Sequence, residues 1–244
     1  MTTVSKNEDI FISKATINRL MKDVRYLLKN PLIDQGIIYK HDEKDILKGY
    51  ALIFGPEETV YQHGAYLFEL TFPSNYPHSP PLVKYHTNDG HTRFNPNLYR
   101  NGKVCISILN TWKGEQWTSC QTINSVLLTI CSILNNEPLL NEPGITKQHK
   151  DFNSYNEIIK YKNFEVAILK MVMKDKGIYP TRFDSFYLDI KNNFITNYEK
   201  ILATLEKNKK LKKNIKTSLY SMDITIDYNS LIAKIKDAKD YVNK

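Results

Sequence analysis

The chemistry-bearing part of this sequence is RFNPNLYRNGKVCISI, Arg93 to Ile108. Cys105 follows an Asn-Pro-Asn turn and a glycine-bearing loop, and Asn97 lies eight residues before it. A thiolate is a strong nucleophile and can carry an acyl group as a covalent intermediate. If the intervening loop folds back, the Asn97 amide stands beside that thiol. There it either donates to a developing oxyanion or bonds backbone groups to hold its own proline turn. The residues alone leave both roles open.

The other two cysteines carry less. Cys120, Cys131 and Cys105 form no CxxC pair and no Cys/His cluster with zinc spacing. Their odd number argues for reduced thiols rather than a disulfide framework. Cys131 borders an apolar helical stripe and reads as a small core residue. Cys120 lies near a helix start, where thiol pKa values fall, and is a minor alternative nucleophile. No glycine-rich phosphate loop occurs, so nucleotide binding has no support.

The elements that must position Cys105 are legible from period and punctuation. Ile17, Leu20, Met21, Val24, Leu27 and Leu28 form a helical stripe between Ser13 and Asn30, with Ser13 or Thr16 as cap and Pro31 as stop. Strand-like segments follow at 36–40, 46–54, 65–72 and 82–86. The second and third are joined by the turn-rich GPEETVYQHG. Consecutive strands with short connections predict an antiparallel meander. PSNYPHSPP, with prolines at 73, 77, 80 and 81, predicts a rigid passage around a buried Tyr76. Trp112 and Trp117, in the polar loop after Cys105, are weighted toward the core. Helices are predicted over 119–135, 151–162, 163–176, 185–207 and 227–242, the last capped by Asp227.

The 244 residues fit one large domain or a domain near 150 residues with an appendage. No run approaches the ~20 apolar residues of a membrane span, and the N-terminus has no apolar signal core. The expectation is a soluble cytoplasmic protein with access to the nucleus. Net charge is +8, and much of it lies in KNKKLKKNIK, Lys207 to Lys216. No aromatic side chains interleave with these lysines, so a linker or solvated helix face is favoured over nucleic-acid binding.

The succession GPEETVYQHGAYLFELTFPSNYPHSPP, FNPN, NGKVCISIL, a tryptophan, and a helix ending in a proline-bearing acidic loop resembles the ubiquitin-conjugating enzymes. The resemblance runs from Ile10 to about Lys176 and is sharpest with the C-terminally extended branch typified by ubiquitin-conjugating enzyme Z. It implies an α+β ubiquitin-conjugating (UBC) fold: a four-stranded antiparallel meander flanked by helices, with an all-helical C-terminal extension. The division expected is a catalytic core over 10–177 and an extension over 178–244 packed on it.

The resemblance also implies an activity. Cys105 would accept ubiquitin or a ubiquitin-like modifier from an activating enzyme as a thioester and pass it to a substrate lysine or a ligase. ATP is consumed by the activating enzyme, and no cofactor, metal or membrane is implied. Asn97 falls on the asparagine of the family's His-Pro-Asn, and Asn95 stands where that histidine would be. Ser107 replaces an aspartate that many members carry two residues after the cysteine. The distal acid of the usual gate falls in NEPG, at Asn141 or Glu142, with Glu142 favoured. The alternative is a catalytically inactive module of the same fold that binds ubiquitin or a ligase.

Overall fold

The computed structural model describes residues 12–243. Ile10, the first residue of the resemblance and of the expected core, lies outside them. Helix α1 (Lys14–Lys29) begins where Ser13 Oγ accepts the Thr16 N–H at 3.1 Å. Its buried face is narrower than the sequence stripe: Leu20 and Leu27 are buried, Val24 is partly so, and Met21 and Leu28 face solvent.

Strands β1 (Ile37–His41), β2 (Lys48–Phe54), β3 (Ala65–Thr71) and β4 (Leu82–Tyr85) form one antiparallel sheet in chain order, the meander expected. The register sets Leu52 opposite Leu67 and Leu70 opposite Val83. β3 is buried on both faces through Phe68, so it reads as a nearly continuous apolar run instead of an alternating one. The turn between β2 and β3 needs Gly55, because a Cβ there would meet the Tyr61 carbonyl oxygen at 1.7 Å.

Beyond the sheet, α2 (Ile123–Ile133) starts with a reciprocal capping box between Thr122 and Ser125. The two helices expected over 151–176 are one body. α3 (Phe152–Lys162) runs without a break into a π-helical segment, Asn163–Lys170, because Asn163 keeps helical backbone angles (φ −57°, ψ −49°). Asn163 is buried, accepting from the Tyr66 hydroxyl at 2.7 Å and donating to the Gln62 carbonyl at 2.9 Å.

The C-terminal region holds α4 (Tyr187–Glu206) and α5 (Tyr228–Val242), and between them a two-stranded hairpin, β5 (Lys212–Thr217) with β6 (Met222–Asp227). The expected all-helical extension is therefore mainly helical with one hairpin. The physical reason is alternation: Ile215 and Thr217, and Met222, Ile224 and Ile226, are buried while their neighbours are exposed or half-exposed. Three exposed lysines of the basic run pair with acids, Lys212 and Lys216 from the outer face of β5 and Lys213 from the face it shares with Ile215. Lys212 meets Asp227 at 2.9 Å, Lys213 meets Glu157 at 2.8 Å and Lys216 meets Asp223 at 2.8 Å. Ile201, Leu205, Ile226, Leu231 and Ile235 belong to the same apolar cluster as Leu67, Ile130 and Ile158.

Candidate active site

Cys105 lies in an extended segment beside β4, held by short-range bonds. Gly102 makes the turn before it, at φ +88°, with its carbonyl accepting the Tyr85 N–H at 2.7 Å. A Cβ there would meet the Tyr85 carbonyl oxygen at 2.8 Å. The loop folds back as the chemistry requires: the Cys105 N–H donates to the Asn97 carbonyl at 2.9 Å, and Asn97 Nδ2 donates to the Cys105 carbonyl at 2.6 Å. Asn97 is buried, and its Oδ1 has no partner among the described residues.

Cys105 itself is 3% exposed, and its Sγ donates to the Thr111 carbonyl at 2.5 Å. Thr111 is the hub of the loop after the cysteine. Its Oγ1 accepts the Ile106 N–H at 3.0 Å and lies 3.1 Å from the carbonyls of Val104 and Ile106. The loop is pinned further along, where Asn110 Oδ1 accepts the Trp117 N–H at 2.8 Å and Trp117 Nε1 donates to the Pro77 carbonyl at 2.7 Å. Trp117 is thus a core residue, whereas Trp112 is half-exposed. Tyr76 is buried as expected, with its hydroxyl donating to Asp23 at 2.5 Å. Leu109, Thr111 and Val104 line a groove of about 430 Å³ between β4 and residues 101–104.

Asn95 braces the turn with all its hydrogen-bonding capacity. Nδ2 donates to the Tyr61 hydroxyl at 3.0 Å and to the Ile133 carbonyl at 2.8 Å; Oδ1 accepts the Asn97 N–H at 3.0 Å and Asn141 Nδ2 at 3.3 Å. The Tyr61 hydroxyl in turn donates to the Phe94 carbonyl at 2.6 Å. Burial pushes its pKa far up, so it stays a donor. A buried amide here does what an imidazole would do with fewer bonds.

In the NEPG loop, Asn141 and Glu142 separate in role. Asn141 Nδ2 also donates to the Ile133 carbonyl at 3.0 Å and its Oδ1 accepts Asn135 Nδ2 at 2.9 Å, so its carboxamide belongs to the Asn95 brace. Glu142 is half-exposed, ends a 3-10 turn (Pro138–Asn141), and among the described residues its side chain accepts one bond, from the Tyr220 hydroxyl at 2.5 Å. Ser107 opens the 3-10 turn Ser107–Leu109, and its side chain lies beside Gly114.

Of the remaining cysteines, Cys120 is exposed ahead of the α2 cap, and Cys131 is half-buried, its thiol pKa raised by burial. Sequence reasoning brought out Cys105, Asn97, Asn95 and the NEPG loop. It passed over Thr111, Tyr61 and Tyr220, whose contacts span 5 to 78 residues. The one available signal was the tyrosine inside the turn segment GPEETVYQHG, since a large residue in a tight turn needs somewhere to go.

The ubiquitin-conjugating enzyme family model matches residues 19–164. Ubiquitin-conjugating enzyme E2 Z of Xenopus tropicalis is 40% identical over 163 residues, 66% of this chain and 51% of that protein. The human E2 Z is 42% identical over 157 residues, 63% of this chain and 44% of its own length. The human dual E2 ubiquitin-conjugating enzyme/E3 ubiquitin-protein ligase BIRC6 is 44% identical over 149 residues, 57% of this chain and 3% of that protein. The chain thus spans about half the length of the E2 Z relatives it matches. The solved structure of human ubiquitin-conjugating enzyme E2 G1 aligns with a TM-score of 0.44 and 31% identity, over 51% of this chain and 97% of that one. The matched span holds the whole four-stranded meander, the Asn95 brace, Cys105 and the NEPG loop, and the chain belongs to the ubiquitin-conjugating enzyme family.

Proposed function

We propose that this chain is an acyltransferase that carries ubiquitin, or a ubiquitin-like modifier, on Cys105. The observation that supports it most is the closed ring around that residue: Asn97 and Cys105 exchange backbone and amide bonds across the loop, which fixes the backbone of a single thiol beside a groove. In the first step the Cys105 thiolate attacks the thioester of an activating enzyme. A new C–S bond forms at Cys105, the old one breaks, and the enzyme's thiol leaves. In the second, a lysine amine or a ligase thiol attacks the carrier thioester, Cys105 leaves as thiolate, and the amine loses a proton to solvent or a nearby base.

For an amine the obstacle is protonation, since lysine titrates near ~10.4 and is roughly 0.1% neutral at pH 7.4. Desolvation in the acceptor groove favours the neutral amine. Glu142 offers a carboxylate on the acceptor side that can orient the amine or receive its proton, although its charge alone favours the ammonium. In this reading Glu142 therefore works through its position.

Asn97 supports the loop in the resting thiol state, its Nδ2 committed to the Cys105 carbonyl. A role toward an oxyanion requires that bond to be exchanged in the transfer step. The partners that follow are the modifier, its activating enzyme, a ligase and protein substrates, in the cytoplasm or nucleus. The near-complete burial of Cys105 favours the second reading, a non-catalytic module, because charging must first free the thiol from Thr111.

Incubation with a panel of modifiers, matched activating enzymes and ATP separates the two. The enzyme reading predicts an adduct that vanishes on reduction with at least one modifier. Absence of any adduct across the panel overturns it.

A further inference from the structure

The turn between β5 and β6 reaches back onto the acid side of the site. Its tip is Leu219, Tyr220 and Ser221. The Tyr220 hydroxyl donates to Glu142 Oε2 at 2.5 Å, and the Tyr220 carbonyl accepts from Arg100. The Arg93 guanidinium lies 3.4 Å from the Tyr99 ring centroid and 5.0 Å from that of Tyr220. The Leu219 N–H donates to buried Asp151 Oδ2 at 2.8 Å, and the Tyr155 and Tyr220 rings meet at 5.8 Å. Tyr220 and Ser221 both have positive φ, 61° and 47°, a region that side-chain-bearing residues occupy in succession only where surrounding contacts impose it.

Two further features separate this contact from ordinary packing. Among the described residues no lysine or arginine lies in salt-bridge range of Glu142, although Arg93 and Arg100 both contact Tyr220. Arg93 stacks on tyrosine rings and bonds the Asn95 and Pro96 carbonyls instead. Glu142 Oε1 accepts no hydrogen bond from the described residues, so one oxygen is anchored and the other is open. Burial, and next the Glu142 bond, push the Tyr220 hydroxyl pKa far up, which keeps it a neutral donor. A neutral anchor fixes a flexible carboxylate without cancelling the charge that an approaching amine would meet.

We infer that Tyr220, supplied by the C-terminal hairpin, is a positioning residue for the transfer step, holding the Glu142 carboxylate for an acceptor lysine. The inference rests on the reading of Glu142 as the acceptor-side acid. It makes the hairpin part of the reaction's acceptor specificity.

The test uses the full chain charged with ubiquitin at Cys105 and then chased with free lysine or, in parallel, with hydroxylamine, which is neutral near pH 7.5 and needs no carboxylate to orient it. Tyr220→Phe keeps the ring against Arg93 and Tyr155. It is expected to charge within twofold of the parent, discharge to hydroxylamine within twofold, and discharge to lysine about five- to tenfold more slowly. Glu142→Gln should match it, and the double variant should be no slower than the slower single.

Slow lysine discharge in Glu142→Gln with normal discharge in Tyr220→Phe would overturn the Tyr220 assignment and leave Glu142 standing. Normal discharge in both would remove the Glu142 reading as well. Slowing in Tyr220→Phe alone, or multiplicative slowing in the double variant, would show that Tyr220 does not act through Glu142. Equal losses in charging, hydroxylamine and lysine discharge would make its role structural and end the proposal.

Discussion

The two flanks of the site are built differently. The thiol flank is tied chiefly from within: Asn97, Cys105 and Thr111 lie in one loop held by bonds between residues two to eight positions apart, and Asn95 fastens that loop to Tyr61, Ile133 and Asn141, all ahead of the C-terminal region. The acid flank is assembled from a distance, Glu142 being anchored by Tyr220, 78 residues later, and the hairpin turn by Asp151, 68 residues earlier. A flank made of local bonds survives changes in the C-terminal region. One made of long-range contacts inherits the stability of everything that carries its anchor. Charging, which needs only the thiol, and transfer to lysine, which also needs the acid, should therefore respond differently to the same substitution.

The strongest way to break this asymmetry is to loosen the hairpin from beneath. Ile226 is fully buried in β6, and Ile226→Ala should cost about 2–5 kcal/mol. Thermal unfolding would register the loss. At a temperature where the variant stays folded, lysine discharge should fall while charging holds; equal loss of both would erase the distinction between the flanks.

A somewhat smaller effect is expected on the thiol side. Asn95→Ala strips partners from the Tyr61 hydroxyl, the Asn97 N–H, the Asn141 amide and the Ile133 carbonyl at once. Of these only the Asn97 N–H is left without another partner, since the Tyr61 hydroxyl keeps Phe94 and the Asn141 amide keeps the Ile133 carbonyl, so a loss of about 1–3 kcal/mol is expected, and here charging should fall together with discharge. Asn97→Ala removes a single bond to the Cys105 carbonyl together with an oxygen that has no partner. About 1–2 kcal/mol is expected. If preformed thioester then discharges normally to lysine while the melting temperature drops, Asn97 is loop support alone; slowed discharge without a thermal shift would assign it to the oxyanion.

What the sequence made legible follows the same division. Each of the four strands and α1 falls within two residues of its expected range, because Gly55, Pro31 and the Ser13 cap are local signals. Cys105 and Asn97 were legible for the same reason and Asn95 through the family resemblance, while the brace's distant partners Tyr61 and Ile133 were not. The hairpin was not, because Lys212 and Lys216 occupy its outward positions and Lys213 stands even at an inward one, so the run reads as charge, while Ile215 alone marks the apolar face of β5. The alternation Met222, Ile224, Ile226 was there to be read, but as a short segment beside a lysine run its period is ambiguous. Tyr220 could not be picked out at all, since nothing in its own neighbourhood encodes contact with Glu142.

The smallest predicted effect is on pH dependence and belongs to the scaffold beneath both flanks. His41, His63 and His86 are each held below the ordinary imidazole value, burial being the leading cause. The folded chain then binds fewer protons than the unfolded one, so this stability is present above about pH 6.5 and is lost as pH falls through the lowered folded values. Melting temperature should be level from about pH 7 to about pH 9 and decline below about pH 6.5, the buried tyrosines lowering it only on the far alkaline side. A melting temperature that stays level as pH falls well below about 6.5 would contradict the histidine assignment.

The central claim is that Cys105 is the acyl carrier, and replacing only its sulfur tests it most directly. With ubiquitin, activating enzyme and ATP, the parent chain should form an adduct that reducing agent removes. Cys105→Ser should form one that survives reducing agent but not alkali, as an oxygen ester does, and Cys105→Ala should form none. A reducible adduct that persists in Cys105→Ala, carried by Cys120 or Cys131, would contradict the account.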